Sequence, residues 1–205
     1  MRRPSVLVTF ALSAFVGVLA LTLLWTKVSP WTSYPVAVIS HMVLERVTPM
    51  WVRTVRIAPG RIEVDTTVEV PVEQAGGRRA EVTLDADPGR YAYGLPIFLA
   101  LLVAARVSAK AGGRLRRAVM GYLLLLPAQA ASLVMFLLMQ LALTARMDMA
   151  ALRVVGWELD VIVYGYQLGV LVLPTLMPVL VWLWLDRQFF STVIVQGWKD
   201  SMARR

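Results

Sequence analysis

Four long apolar stretches, each bounded by charge, constrain this chain more than any other feature. They run over 6–25, 95–107, 118–143 and 161–185. A helix needs about 20 apolar residues to cross a hydrocarbon layer roughly 30 Å thick. Within that layer every backbone polar group must be satisfied inside its own segment. The predicted fold class is therefore an α-helical membrane protein with four transmembrane helices, plus a small extracytoplasmic antiparallel β (α+β) domain between the first and second. Hydrophobic residues form 58% of the 205-residue chain, against about 45–50% in soluble domains. The excess lies in the four blocks.

Charge orients them. The segments that four crossings place on one side contain Arg2, Arg3, Arg106, Lys110, Arg114, Arg116, Arg117, Arg187, Lys199, Arg204 and Arg205, with only Asp186 and Asp200 among them. On the other side, 27–92 carries eight basic and eight acidic groups, and 144–160 two basic and three acidic. Basic residues collect on the cytoplasmic side of membrane proteins, so both chain ends are expected on the cytoplasmic side. The same asymmetry explains the net charge of +8 without nucleic acid, and favours contact with anionic lipid headgroups. The first block follows Met1-Arg2-Arg3 as a signal peptide would. Its length and the lack of a small-x-small site after Leu21-Thr-Leu-Leu-Trp25 point to an uncleaved anchor instead.

The expected organisation is a transmembrane anchor over 1–26, a periplasmic β-meander domain over 27–92, helices two to four over 93–188 and a cytoplasmic tail over 189–205. Between Pro35 and Pro49, Val36 to Arg46 reads as a short amphipathic helix. Arg61 to Val70 alternates strictly, with Ile62, Val64, Val68 and Val70 opposite Glu63, Asp65 and Glu69. Ala80 to Ala86 repeats the pattern through Val82 and Leu84. Trp51 to Ile57 supplies a third strand, turned at Ala58-Pro59-Gly60, and Gln74 to Arg79 is the second loop. Period-2 alternation marks strands with one dry face, which three strands alone cannot cover.

The spans carry the candidate contacts. Tyr91 and Tyr93 stand where an aromatic belt belongs, ahead of a second span short enough to need its flanks or a thinner bilayer. Trp157, Glu158 and Asp160 mark the outer end of the fourth span. Tyr164, Tyr166 and Gln167 follow about one turn below, with Gly165 and Gly169 at small-xxx-small spacing. Gln129 and Gln140 in the third span are available for internal hydrogen bonds. The plain reading of these groups is helix packing and an interfacial loop. The functional one is a groove or interface shared with another membrane protein, because polar residues in spans mark function. Pro174 and Pro178 are expected to kink the last span.

Catalytic and metal chemistry find little support. With no cysteine in the chain, thiolate catalysis and zinc–thiolate sites are excluded. His41 with Glu45 one turn away gives two ligands, short of the three or four a metal needs, and no cofactor is implied. The acids Glu63, Asp65, Glu69, Glu81 and Asp85 are what a solvated strand face supplies anyway. No phosphate loop, nucleophile elbow or zinc-protease motif occurs. A membrane enzyme or transport subunit acting on an envelope lipid or glycan remains the alternative. It expects Glu158, Asp160, Tyr166 and Gln167 to converge on a solvent-connected cavity.

Arg90-Tyr-Ala-Tyr-Gly-Leu-Pro-Ile-Phe-Leu-Ala-Leu101, Leu126-Pro-Ala-Gln129, Trp157-Glu-Leu-Asp160, Tyr164-Gly-Tyr-Gln-Leu-Gly-Val-Leu-Val-Leu-Pro-Thr175 and Pro178 together resemble the exosortase H-associated membrane proteins, small multi-span proteins encoded beside a bacterial exosortase. The resemblance implies an accessory, non-catalytic inner-membrane protein of a Gram-negative sorting system, binding exosortase H or its sorted substrates. An exosortase is similar to a membrane-embedded cysteine transpeptidase, and this chain lacks the nucleophile. The family supplies no catalytic residues to carry over.

Reporter fusions at residue 70 and at Arg114 are expected to report opposite sides of the membrane. Both in one compartment would overturn the four-span topology.

Overall fold

The structure is a computed structural model that describes residues 6–71, 79–109, 113–187 and 191. For Val6 and 106–109 it describes the backbone only. The expected 74–79 loop apart from Arg79, Arg2, Arg3, Lys110 and all of the 189–205 tail but residue 191 lie outside the described residues.

The elements follow the apolar blocks. Helix α1 is Val6–Thr32, α2 is Tyr34–Val47, α3 is Gly94–Ala109, α4 is Arg114–Thr144 and α5 is Gly156–Leu185. Strands β1, Val52–Ala58, β2, Arg61–Pro71, and β3, Arg79–Ala86, lie between α2 and α3. Among the described residues three helices, α1, α4 and α5, are long and apolar enough to cross a membrane. Helix α3, the second expected span, has 16 residues, and at 1.5 Å per residue is about 24 Å long. By its own length it falls short of the hydrocarbon layer, so three of the four expected spans stand as candidates among the described residues. The lengthwise surfaces of these helices remain oily: Leu12, Phe15, Leu19 and Leu23 of α1, Leu123 and Leu143 of α4, and Leu168, Leu171 and Leu180 of α5 are exposed. Apolar surface on this scale is untenable in water and ordinary in lipid.

Cα packing divides the chain into two units, Met1–Val28 with Tyr93–Leu125 and Thr175–Arg205, and Ser29–Ala92 with Leu126–Pro174. The first unit is held by close helix contacts. Gly17 lies against Ala100, Gly121 against the Phe98 ring, and Phe10 stacks on Trp182 at 5.5 Å between centroids. An ion pair joins Arg117, near the start of α4, to Asp186 at the end of α5. Asp186 is only 4% exposed, and removing one partner of so buried a pair leaves an uncompensated charge.

The second unit contains an antiparallel meander in the order β1-β2-β3. Val55 pairs with Val64, and Val64 with Leu84. The hairpin closes at Gly60, whose φ of +77° suits a residue without a Cβ. Ile62, Val64, Val68, Val82 and Leu84 are buried as the alternation predicts. The far end differs. A register shift between Asp65 and Glu69 interrupts the ladder, Thr66 is buried with its hydroxyl donating to the Val82 carbonyl at 2.7 Å, and Val70 is only partly covered. On the wet face the acids pair with arginines: Arg53 with Glu81, Arg56 with Asp65, Arg61 with Glu63 and Asp85. Hydrogen bonds from Thr54 and Thr83 lower the Asp65 pKa. Helix α2 lies against β1, and its buried Ser40 hydroxyl donates to the Ala130 carbonyl of α4 at 3.3 Å. The Gln129 amide donates to the Ala92 carbonyl at 3.3 Å. Gln140 departs from its expectation, since its buried Oε1 accepts no hydrogen bond among the described residues.

A Cβ at Gly121 would stand 2.0 Å from the Phe98 ring. Gly121→Ala is therefore expected to cost about 1–3 kcal/mol, the usual penalty of overpacking. At Gly156 a Cβ meets nothing within 4 Å, so Gly156→Ala is the matched control in thermal unfolding in detergent.

Candidate functional site

The candidate site lies in the second unit, where the segment between α4 and α5 meets the sheet. Ala145 to Val155 turns sharply. Arg146, Met147 and Arg153 have φ of 57°, 56° and 54°, a left-handed region that residues with a Cβ seldom enter. Carboxylates hold the turn. Asp148 accepts from the Ala150 N–H at 2.9 Å and caps the single helical turn Met149–Leu152. Glu158 accepts from the Val155 N–H at 3.0 Å and caps α5. From the sheet side, the buried Trp51 indole donates to the Leu152 carbonyl at 2.7 Å. One buried hydrogen bond thus ties the start of β1 to a loop a hundred residues later.

Two hollows adjoin this knot. A cleft of about 550 Å³ runs between the end of β2 and the turn, lined by Thr67, Glu69, Arg79, Asp148 and Arg153. An apolar groove of about 270 Å³ is lined by Met135 and Leu138 of α4 and by Trp157, Val161 and Ile162 of α5. Met50, Trp51 and Arg153 line both. A third hollow, about 310 Å³, lies beside Arg61, Asp85, Asp87, Arg90 and Tyr91.

The sequence-predicted residues divide among these places. Trp157 and Glu158 line the apolar groove, Glu158 also serving as the helix cap. Tyr91 is buried, packs on Phe136 at 4.8 Å between ring centroids and lines the third hollow. Burial first, and then Tyr166, pushes its phenol up to about 12, so Tyr91 is a neutral hydrogen-bonding group at any physiological pH. Burial likewise raises the Tyr93 phenol. Tyr164 is 64% exposed, Gln167 is exposed, Asp160 is exposed and Tyr166 is half-buried. Asp160, Tyr164, Tyr166 and Gln167 line none of the three hollows.

The glycines act as spacers. A Cβ at Gly165 would stand 2.6 Å from the Met135 sulfur, and one at Gly169 3.3 Å from the Met135 Cβ and 3.5 Å from the Ser132 Cα. Over Gln167–Val172 helix α5 adopts π-helical hydrogen bonding, ahead of Pro174, which has no N–H to continue an α ladder. The helix continues beyond it with Pro178 inside. π-Helical turns of this kind occur often at functional sites. Sequence reasoning missed Trp51, Met135, Asp148 and Arg153. A tryptophan opening a strand was a signal for the first; a left-handed backbone at Arg153 has none.

The profile of the exosortase H-associated membrane protein family matches residues 4–189. This chain belongs to that family. No curated protein and no solved structure matches it.

Trp51→Phe keeps the ring and strands the buried Leu152 carbonyl. The expected loss is about 1–3 kcal/mol, the cost of an unsatisfied buried acceptor, read as a lower denaturation midpoint in detergent. An unchanged midpoint would show that the bond does not hold the knot.

Proposed function

From that family membership we propose that the chain is a non-catalytic accessory protein of the inner membrane that binds exosortase H or its sorted substrates by packing one span on another. In this reading the α3 segment is the fourth crossing, with its flanks or a locally thinner bilayer making up the length. Residues 27–92 then form the periplasmic domain, and both chain ends are cytoplasmic.

The observation that carries the reading is an uncovered face of α5. Trp157, Val161, Tyr164, Leu168 and Leu171 are all exposed, and they follow one another at the three-, four- and seven-residue spacings that share one side of a helix. Gln167 borders that face and is exposed too. Without a hydrophobic drive in lipid, helices associate through close packing and interhelical hydrogen bonds. A face with a phenol, an indole and an amide suits a second membrane helix better than lipid tails. Tyr91, Tyr166 and Glu158 complete the proposed set of contacts, Tyr93 at the start of α3 is a separate proposed contact, and Pro174 and Pro178 shape the helix that presents the face. Trp157 and Tyr164 also fit the headgroup level. The enzyme reading needs Glu158, Asp160, Tyr166 and Gln167 around one cavity, and of these only Glu158 lines any of the three hollows described above.

The test is capture from membranes in mild detergent. The tagged chain is expected to retain exosortase H or a sorted substrate. Each interhelical polar contact averages about 0.6 kcal/mol, roughly threefold in affinity, so Tyr164→Leu with Gln167→Leu should lower retention several-fold while the melting temperature holds. Retention of neither partner by the unaltered chain would overturn the proposal.

A further inference from the structure

The polar cleft and the apolar groove of the second unit adjoin, one lined by charge and the other by oil. They share Met50, Trp51 and Arg153. The groove side is walled by two apolar helices that qualify as membrane spans. The cleft side carries two cations, Arg79 and Arg153, and two anions, Glu69 and Asp148. Among the described residues, the side chains of Arg79, Arg153 and Glu69 form no hydrogen bond or ion pair; Asp148 is engaged only by its cap.

Arg153 sits at the junction with its backbone at φ 54°. Glycine is the residue that this position, just after a helical turn, favours. An arginine there opposes the local backbone preference while putting a guanidinium, a strong phosphate ligand, at the boundary of polar and apolar space.

We propose that the adjoining cleft and groove bind one phospholipid with a zwitterionic amine headgroup. Its phosphate lies on Arg153, its ammonium toward Glu69 and Asp148, and an acyl chain in the groove between α4 and α5. Hydrogen bonding selects this occupant. An extended peptide alongside spanning helices would leave its own backbone groups unpaired in hydrocarbon, whereas an acyl chain has none to satisfy. Two charges of each sign suit a headgroup that carries both. This inference does not depend on the association with an exosortase.

The test uses the full chain purified in mild detergent, with bound phospholipid measured by mass spectrometry of the native protein. About one phosphatidylethanolamine per chain is expected. After delipidation, added phosphatidylethanolamine should raise the melting temperature more than phosphatidylglycerol does. Arg153→Gln and Arg153→Gly should each lower retention roughly tenfold or more, the loss expected for a charge-assisted hydrogen bond to phosphate. Arg153→Gly relieves the left-handed backbone, so its lipid-free melting temperature should hold or rise, which separates lost binding from lost folding. Val161→Trp should fill the groove and expel the lipid with Arg153 intact; if that variant unfolds, the two Arg153 variants carry the test. Undiminished retention in both Arg153 variants would overturn the proposal. So would equal stabilisation by phosphatidylglycerol, or displacement of the lipid by a soluble peptide that occupies the cleft.

Discussion

A backbone in hydrocarbon has no water to bond with, and much of this molecule follows from that constraint. It forces the apolar blocks into helices, and it removes the hydrophobic effect as the force that brings those helices together. What remains is contact at short range. Gly17 on Ala100, Gly121 on Phe98 and Gly169 on Ser132 and Met135 are places where a missing Cβ lets another element come close. Polar atoms then close locally: Ser40 reaches a carbonyl of α4 and Gln129 reaches Ala92. The π-helical stretch ahead of Pro174 answers the same demand, because the proline has no donor for the ordinary ladder.

The candidate site is where that regime ends. Between α4 and α5 the chain leaves regular helix for eleven residues and uses charged side chains as fasteners, Asp148 and Glu158 each capping a helical turn. Trp51 does from the sheet what those carboxylates do from within the loop. The hollows lie beside this knot, and Trp51 and Arg153 line both. Their mixed lining, charged toward the sheet and apolar toward α4 and α5, comes from that position.

Much of this was legible in sequence, for physical reasons that differ by element. The period-2 alternation of Ile62, Val64, Val82 and Leu84 reported a dry sheet face, because strand side chains have no other option than to alternate. The glycine spacing at Gly165 and Gly169 correctly announced close packing. Glu158 was visible as a carboxylate at a helix start, whereas its bond from the Val155 N–H was not foreseen. The β-strand register past Asp65 was not readable, since a bulge leaves the alternation of residue types nearly intact while shifting the partner strand. The second apolar block reads as a crossing by composition, yet its helix is the one too short to meet the length requirement alone.

The sequence by itself determined the class of molecule: apolar blocks, charge asymmetry and strand alternation leave little choice but helices in lipid beside a small sheet, because hydropathy and backbone satisfaction act locally along the chain. Tertiary structure decided which residues meet. Trp51 finds Leu152, Arg117 finds Asp186, and Arg153 arrives at a polar–apolar boundary through a left-handed turn. Each depends on where distant segments end up in three dimensions, and no local pattern encodes a contact between residues seventy or a hundred positions apart.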